Sequence, residues 1–421
     1  MNDDRPSFRA LVGAQFFGAF NDNLFKQLML FLAAGYLFRD RDVQGLAAAV
    51  FALPFVIFSG LAGDLSERFG KRTIVFQMKV AEIAIMLLGV LAFVLLNWTF
   101  LLIVLFLMGT QSAFFGPSKY GIIPELVPPE RLLRANGIIS MTTFAAILLG
   151  QALAGPLLDG FGDRLYLPAA VCTGFAIVGT LIAARMRPSD PQNPNQPIAP
   201  NPFGHLATTI GRLKQQKGLT TFVFLYSLFW FNGSVVQQAV VSLGAPEYLD
   251  VGIGEKALLS YVLVTLSVSI IAGSLIAPSL SKRIGMGRTL IVGTAAMALG
   301  QVALLSIGTL FHRADGGLLL THILLGIIGF AGAMFVVPIQ TYLQHAPQKG
   351  MKGQTVAVNN FMNFLFMFLA GLYYLAVRRP QMDISPPSAQ AVPGVLILVL
   401  VTLLQKTVLN MKIDSSQAET D

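Results

Sequence analysis

The sequence predicts an all-α membrane protein of twelve transmembrane helices in two pseudo-symmetric six-helix bundles. Three observations carry this. The 421 residues are 54% hydrophobic and 12% charged, whereas a soluble domain carries about 25% charge. Twelve apolar stretches approach the ~20 residues that cross the hydrocarbon core. The second six of these echo the first six at matching places.

The spans fall at roughly 10–37, 44–63, 73–96, 99–117, 133–157, 165–185, 219–243, 257–280, 289–311, 317–343, 355–377 and 392–411. The first is overlong and carries a polar interruption. The last follows the Pro-rich run S-P-P-S-A-Q-A-V-P-G. With both ends on the cytoplasmic side, about two thirds of the 29 Lys and Arg fall in inner loops or ends, as the positive-inside rule expects. An odd number of spans scrambles this asymmetry. The net charge of +8 therefore reads as basic inner loops, not as a nucleic-acid surface.

The connection after span 6 differs from the others. Residues 188–202 read P-S-D-P-Q-N-P-N-Q-P-I-A-P-N-P, with proline every third residue. That spacing suits an extended spacer. His205 to Lys217 then reads as a short polar surface helix. The expected domains are an N-terminal bundle (1–187), a Pro-rich cytoplasmic linker (188–204), and a surface helix with a C-terminal bundle (205–421). The repeat is weak but ordered. Pro117 and Asn136 in G-P-S-K-Y-G-I-I-P-E-L-V-P-P-E-R-L-L-R-A-N-G match Pro338 and Asn359 in the second half. The loop G-L-A-G-D-L-S-E-R-F-G-K-R is echoed by S-L-S-K-R-I-G-M-G-R. Parallel repeats of this kind are the architecture of a rocking transporter.

The chemistry is concentrated in span 1, at A-F-N-D-N-L-F-K. Asp22 and Lys26 are four residues apart, on one helical face. An ionisable group near the bilayer centre costs at least ~2.5 kcal/mol, so it faces the protein interior or a watery cavity. Two readings stay open: an internal Asp22–Lys26 ion pair that locks the bundle, or a place on a transport pathway. In span 3, Lys79 and Glu82 are three apart and either pair or let Lys79 snorkel to the nearby inner end. Span 7 offers Asn232, Gln237 and Gln238. Span 11 offers Asn359, Asn360 and Asn363, either as a polar stripe between helices or as part of a site. For any one of the 32 phenylalanines, ordinary packing is the first reading.

No enzyme chemistry emerges, and no cofactor is expected. Cys172 alone supports neither a disulfide framework nor a cysteine zinc cluster. His205, His312, His322 and His345 lack metal-ligand spacing, and neither G-x-x-x-x-G-K-[ST] nor G-x-S-x-G occurs. The start, M-N-D-D-R-P-S-F-R, does not read as a cleaved signal peptide.

Gly60, Asp64, Arg68, Gly70, Lys71 and Arg72 resemble the loop 2–3 signature of the major facilitator superfamily. Gly70 stands six residues after Asp64, where the usual pattern has three. The signature implies an inner gate built from Gly60, Asp64, Arg68, Gly70 and Arg72. G-A-F-N-D-N-L-F-K, G-P-S-K-Y-G-I-I-P-E-L and R-A-N-G together resemble the lysophospholipid transporter branch, especially the module often fused to acyltransferase and acyl-ligase domains. No such enzyme domain is expected within these residues.

The resemblance implies a lysophospholipid flippase of the bacterial inner membrane, multi-pass with both termini cytoplasmic. It would move lysophosphatidylethanolamine or lysophosphatidylglycerol from the outer to the inner leaflet without ATP. The partners implied are the lysophospholipid itself, membrane lipids and a separate acyltransferase. The substrate-binding candidates are then Asp22, Asn23, Lys26, Glu82, Lys119, Gln237 and Asn359. Lys26 and Lys119 suit the phosphate, and Asp22 and Glu82 the ethanolamine amine. Phe16, Phe17, Phe20, Phe25, Phe114 and Phe115 suit the acyl tail. In the span 7 stretch that holds Asn232, Gln237 and Gln238, enzyme-free relatives tend to carry an arginine where this sequence has glutamine. A carrier of another amphipathic or small solute, or a non-transporting partner of an acyltransferase, are the alternatives.

Overall fold

The computed structural model describes residues 4–34, 42–128, 131–195, 198, 211, 218–252, 254–345 and 352–411. Twelve long helices run through it: α1 (Arg5–Ala33), α2 (Gln44–Arg68), α3 (Lys71–Leu95), α4 (Trp98–Gly121), α5 (Leu132–Phe161), α6 (Tyr166–Ala183), α7 (Leu219–Ser242), α8 (Lys256–Ile284), α9 (Met286–Ala303), α10 (Gly317–His345), α11 (Lys352–Val377) and α12 (Pro386–Leu403). Among the described residues the extended structure is limited to an isolated bridge between Ile307 and Phe311. Eleven helices, α2 to α12, are long and apolar enough to cross a membrane. Helix α1 has the length, but its Asn-Asp-Asn-Leu-Phe-Lys interruption lowers its hydropathy. Large apolar side chains such as Leu87, Leu91, Leu275 and Leu299 point outward. On a soluble protein so much exposed apolar surface is a liability; against lipid it is the expected solvent-facing chemistry.

The chain divides into two compact units. In unit 1, α1 packs on α5 and α6, and α3 packs on α4 and α6. In unit 2, α7 packs on α11 and α12, and α9 on α10 and α12. The same four pairings recur six helices later, so the weak sequence echo is a structural repeat. Proline placement agrees: Pro117 lies inside α4 and Pro338 inside α10.

Two short segments cluster with the unit of the other half of the chain. Residues 253–260 belong to unit 1. There Asp159 caps the start of α8, its carboxylate accepting from the backbone N–H groups of Lys256 (2.8 Å) and Ala257 (2.7 Å). Residues 34–46 belong to unit 2. There Gln44 donates to Ser242 Oγ (2.9 Å), and Asp42 pairs with Arg378 (3.5 Å).

Two span ends differ from expectation. Helix α12 begins at Pro386, six residues before the expected 392. Pro386 occupies a first-turn position where no N–H is needed, and Ser385 caps the end by accepting from Ser388 N. The Pro-rich run therefore starts the helix. Helix α9 stops at Ala303, with a 3-10 turn over Leu304–Ser306, where the sequence suggests continuation to 311. Glycine at 308 adopts φ +82° in the turn that follows. The expected surface helix at 205–217, residue 211 apart, and most of the linker after Asn195 lie outside the described residues.

Candidate functional site

The polar centre of unit 1 is assembled by α1, α2, α3 and α4. Asp22 and Lys26 share a face of α1, but they form no ion pair within the described residues. Instead Asp22 Oδ2 is hydrogen-bonded to the Ser112 hydroxyl of α4. Asp22 Oδ1 is buried and has no hydrogen-bond partner. The Lys26 ammonium lies over the Phe51 ring of α2, 5.4 Å from its centroid, and the residue is only 8% exposed. A ring face offers a cation ~0.5–2 kcal/mol, well short of what a buried ammonium needs. Among the described residues, a buried cation with only a ring face against it and a carboxylate oxygen with no hydrogen-bond partner thus lie one turn apart on α1.

One turn earlier the charges are fully satisfied. The Lys79 ammonium pairs with Glu82 Oε2, and Asn21 Nδ2 donates to Glu82 Oε1 at 2.9 Å. Both ionic side chains are at most 1% exposed. Lys79 therefore does not snorkel. Room for it is made by Gly179 of α6, where an added Cβ would meet Nζ at 2.8 Å. Glu82 has both oxygens engaged inside the protein. It is placed to hold Asn21, the residue next to Asp22, and not to receive a substrate amine directly.

The other expected residues lie as follows. Asn23 turns back on its own helix, its Nδ2 donating to Ala19 O at 2.8 Å. Lys119 is half-buried near the end of α4, over the Tyr120 ring at 4.6 Å. Seven residues separate it from Ser112, ~10 Å along the axis, so it is not brought to Asp22. Gln237 and Asn359 belong to unit 2, on α7 and α11. Asn359 Oδ1 is buried without a partner, and its neighbour Asn363 accepts from Ser227 Oγ at 3.2 Å. Of the phenylalanines, Phe16, Phe17 and Phe20 stack with one another and with Phe175. Phe114 packs on Phe58. Phe25 instead meets Phe93 in the core, and Phe115 is likewise in a packed core cluster.

The loop residues expected at a gate fall into three kinds. Gly60 and Asp64 lie in α2, Asp64 buried near its end, and Arg68 is exposed at its last position. Gly70 abuts the start of the linker so closely that a Cβ would lie 2.1 Å from Ser189 O. Arg72 ties the loop to the end of α6. Its Nε and Nη2 donate to the carbonyls of Met186 and Ala184, just past the C-terminus of that helix. Lys71 pairs with Glu125 at 2.9 Å. The linker's first residues are anchored as well, through Ser189 Oγ to Arg72 N and Asn193 N to Glu67 O.

Sequence reading missed Ser112, Gln111 and Gln15. Gln15 is 1% exposed, and its amide engages Thr142 (2.6 Å) and Thr143 (2.8 Å) of α5. The only signal was polarity at the middle of an apolar span. The same signal marks Asn232, Gln301 and Gln390, which form a buried amide cluster in unit 2.

This architecture is shared with known transporters. The sequence profile of the Major Facilitator Superfamily matches residues 11–371, and the chain belongs to that superfamily. Among its relatives is the lysophospholipid transporter LplT of Shigella sonnei (strain Ss046), 31% identical over 378 residues, covering 88% of each chain. LplT of Escherichia coli O1:K1 / APEC is 30% identical over the same share. Among solved structures, a POT family transporter in complex with 5-aminolevulinic acid superposes with TM-score 0.70 at 13% identity, covering 94% of this chain and 96% of that one. A variant of the nucleoside transporter NupG gives TM-score 0.69 at 12% identity, covering 96% and 99%. At such identity the structures share the fold alone.

Proposed function

We propose that the chain moves lysophospholipids, lysophosphatidylethanolamine and lysophosphatidylglycerol, from the outer to the inner leaflet by alternating access. The observation that carries this is the half-made polar site in α1: among the described residues, Lys26 is buried with no paired anion, one turn from Asp22 with a buried oxygen unpartnered. A phosphate supplies the missing anion for Lys26. An ethanolamine ammonium supplies the missing donor for Asp22. Charge-assisted hydrogen bonds of this kind are the strong ones, and they compensate a head group for the water it sheds. The LplT relatives support the same substrate class.

In this reading Asp22, Lys26 and Asn23 form the first contact zone, and Lys119 lies further along the head group's route. Gln237 and Asn359 are proposed substrate contacts within unit 2. Glu82 acts through Asn21. Gly60, Asp64 and Arg68 are the proposed gate elements, with Gly70 and Arg72 holding their loop in place. The protein is multi-pass in the membrane; a bacterial inner membrane is proposed from the bacterial relatives, and cytoplasmic ends from the basic-loop asymmetry. A separate acyltransferase is the proposed consumer of the delivered lipid. The test is flipping of a labelled lysophospholipid by the purified protein in liposomes. Wild type should accelerate it over empty vesicles and Lys26→Met should not. Equal rates in vesicles with and without protein would end this reading.

A further inference from the structure

We infer that Asp22 carries a proton in this conformation, and that a head-group ammonium displaces it. Zwitterionic lysophospholipids then exchange with one proton, whereas anionic ones bind with the proton retained. The exchange step rests on the head-group reading above; the protonation itself does not.

Ser112 Oγ lies within hydrogen-bond distance of two oxygens, Asp22 Oδ2 and Gln111 Oε1, the latter at 3.0 Å. A hydroxyl has one hydrogen, and an ionised carboxylate and an amide oxygen have none to offer. With Asp22 ionised and the Gln111 amide oxygen facing Ser112, one of these contacts is oxygen against oxygen. With a proton on Oδ2, Asp22 donates to Ser112 and Ser112 donates to Gln111. Both contacts then hold a hydrogen.

The second observation is Asp22 Oδ1, buried with no donor. A naked buried carboxylate oxygen is far costlier than the carbonyl oxygen of a neutral acid. The third is the arrangement of charges. On α1 itself, Lys26 lies one turn on but beyond ion-pair distance. On α3, Lys79 is committed to Glu82. Those three are the charges whose fields reach Asp22. On α4 the nearest ionisable group along the helix is Lys119, seven residues from Ser112. Helices α2 and α5 carry ionisable residues only near their ends, and α6 adds the buried thiol of Cys172.

Protonation leaves the Asp22–Lys26 site with the single positive charge of Lys26. An anionic head such as phosphoglycerol neutralises that charge without further change. A zwitterionic head brings its own cation. Its ammonium takes the place of the carboxyl hydrogen, Asp22 becomes a carboxylate paired to it, and the proton leaves to water. No bond other than O–H is broken. A binding step that releases a proton strengthens as pH rises. While Asp22 is protonated in the free protein, affinity for the zwitterion should rise about tenfold per pH unit, and affinity for the anion should not rise.

The first test needs no lipid substrate. Infrared difference spectra of the purified protein in nanodiscs near neutral pH should contain the band of a protonated carboxyl. It should shift with carbonyl-labelled aspartate and vanish in Asp22→Asn. Should Asp22→Asn not fold, Ser112→Ala should move the band without removing it. A carboxylate signal alone would overturn the inference; the Gln111 amide would then be turned to donate to Ser112. The second test is calorimetric binding in buffers of different ionisation enthalpy. Lysophosphatidylethanolamine should release about one proton per molecule and lysophosphatidylglycerol about none. Equal release for both would overturn the exchange step. Binding of neither would overturn the head-group reading and the exchange with it, while the infrared band still decides the protonation.

Discussion

The Lys79–Glu82 pair gives a prediction whose magnitude follows from its burial. Replacing Lys79 with Met leaves the Glu82 carboxylate at 1% exposure with only the Asn21 amide as a donor. Removing one partner of a buried pair costs about 3–5 kcal/mol. Replacing Glu82 with Gln as well removes the stranded charge. The new amide oxygen still accepts from Asn21 Nδ2, and only its NH2 is left wanting, a cost of about 1–3 kcal/mol. Lys79→Met should therefore be the least stable variant, and Lys79→Met/Glu82→Gln should recover roughly 2 kcal/mol of the loss. The assay is equilibrium unfolding in mixed micelles, read as a double-mutant cycle with Glu82→Gln as the other single. If Lys79→Met is within 1 kcal/mol of wild type, or the double variant loses the sum of the two singles, the buried-pair reasoning is wrong.

Three more outcomes follow from the same geometry. Lys26→Met removes a buried cation that has no anion to strand, so it should fold at least as stably as wild type yet slow flipping of both head groups by about tenfold or more; a liposome flux assay beside a melting curve checks both halves. Gly70→Ala sets a Cβ 2.1 Å from Ser189 O, so limited proteolysis in the 189–195 segment should quicken; unchanged cleavage would show that the segment yields without detaching. Arg72→Ala frees the carbonyls of Ala184 and Met186 and should lower stability by about 1 kcal/mol, measured by thermal unfolding, with Arg72→Lys recovering less than half because one ammonium cannot reproduce the fork.

The fold was legible because lipid imposes a simple rule: long apolar runs must be helices. The repeat was legible in Pro117 and Pro338. Boundaries went wrong where local chemistry outweighed hydropathy, as at Ser385 and Pro386, whose capping starts α12 early. The site was half legible. Asp22, Lys26 and the Lys79–Glu82 pair stood out because charge is rare in such spans. Which groups they would meet did not, because partner choice is decided between helices. Nothing in the sequence aims Ser112 at Asp22, or Phe51 at Lys26. Arg72 was expected at a gate because it belongs to the stretch that resembles the loop 2–3 signature; the structure spends its donors on the end of α6. Ser112 and Gln15 were invisible because one hydroxyl or amide in a span carries too weak a signal.

The central claim is that Lys26 and Asp22 receive a lysophospholipid head group. It is tested most directly by flux of lysophosphatidylethanolamine and lysophosphatidylglycerol into liposomes holding purified wild type or Lys26→Met at matched reconstitution. The account predicts flipping of both lipids by wild type and at least a tenfold loss of both in a folded Lys26→Met. Wild-type rates in Lys26→Met would contradict it.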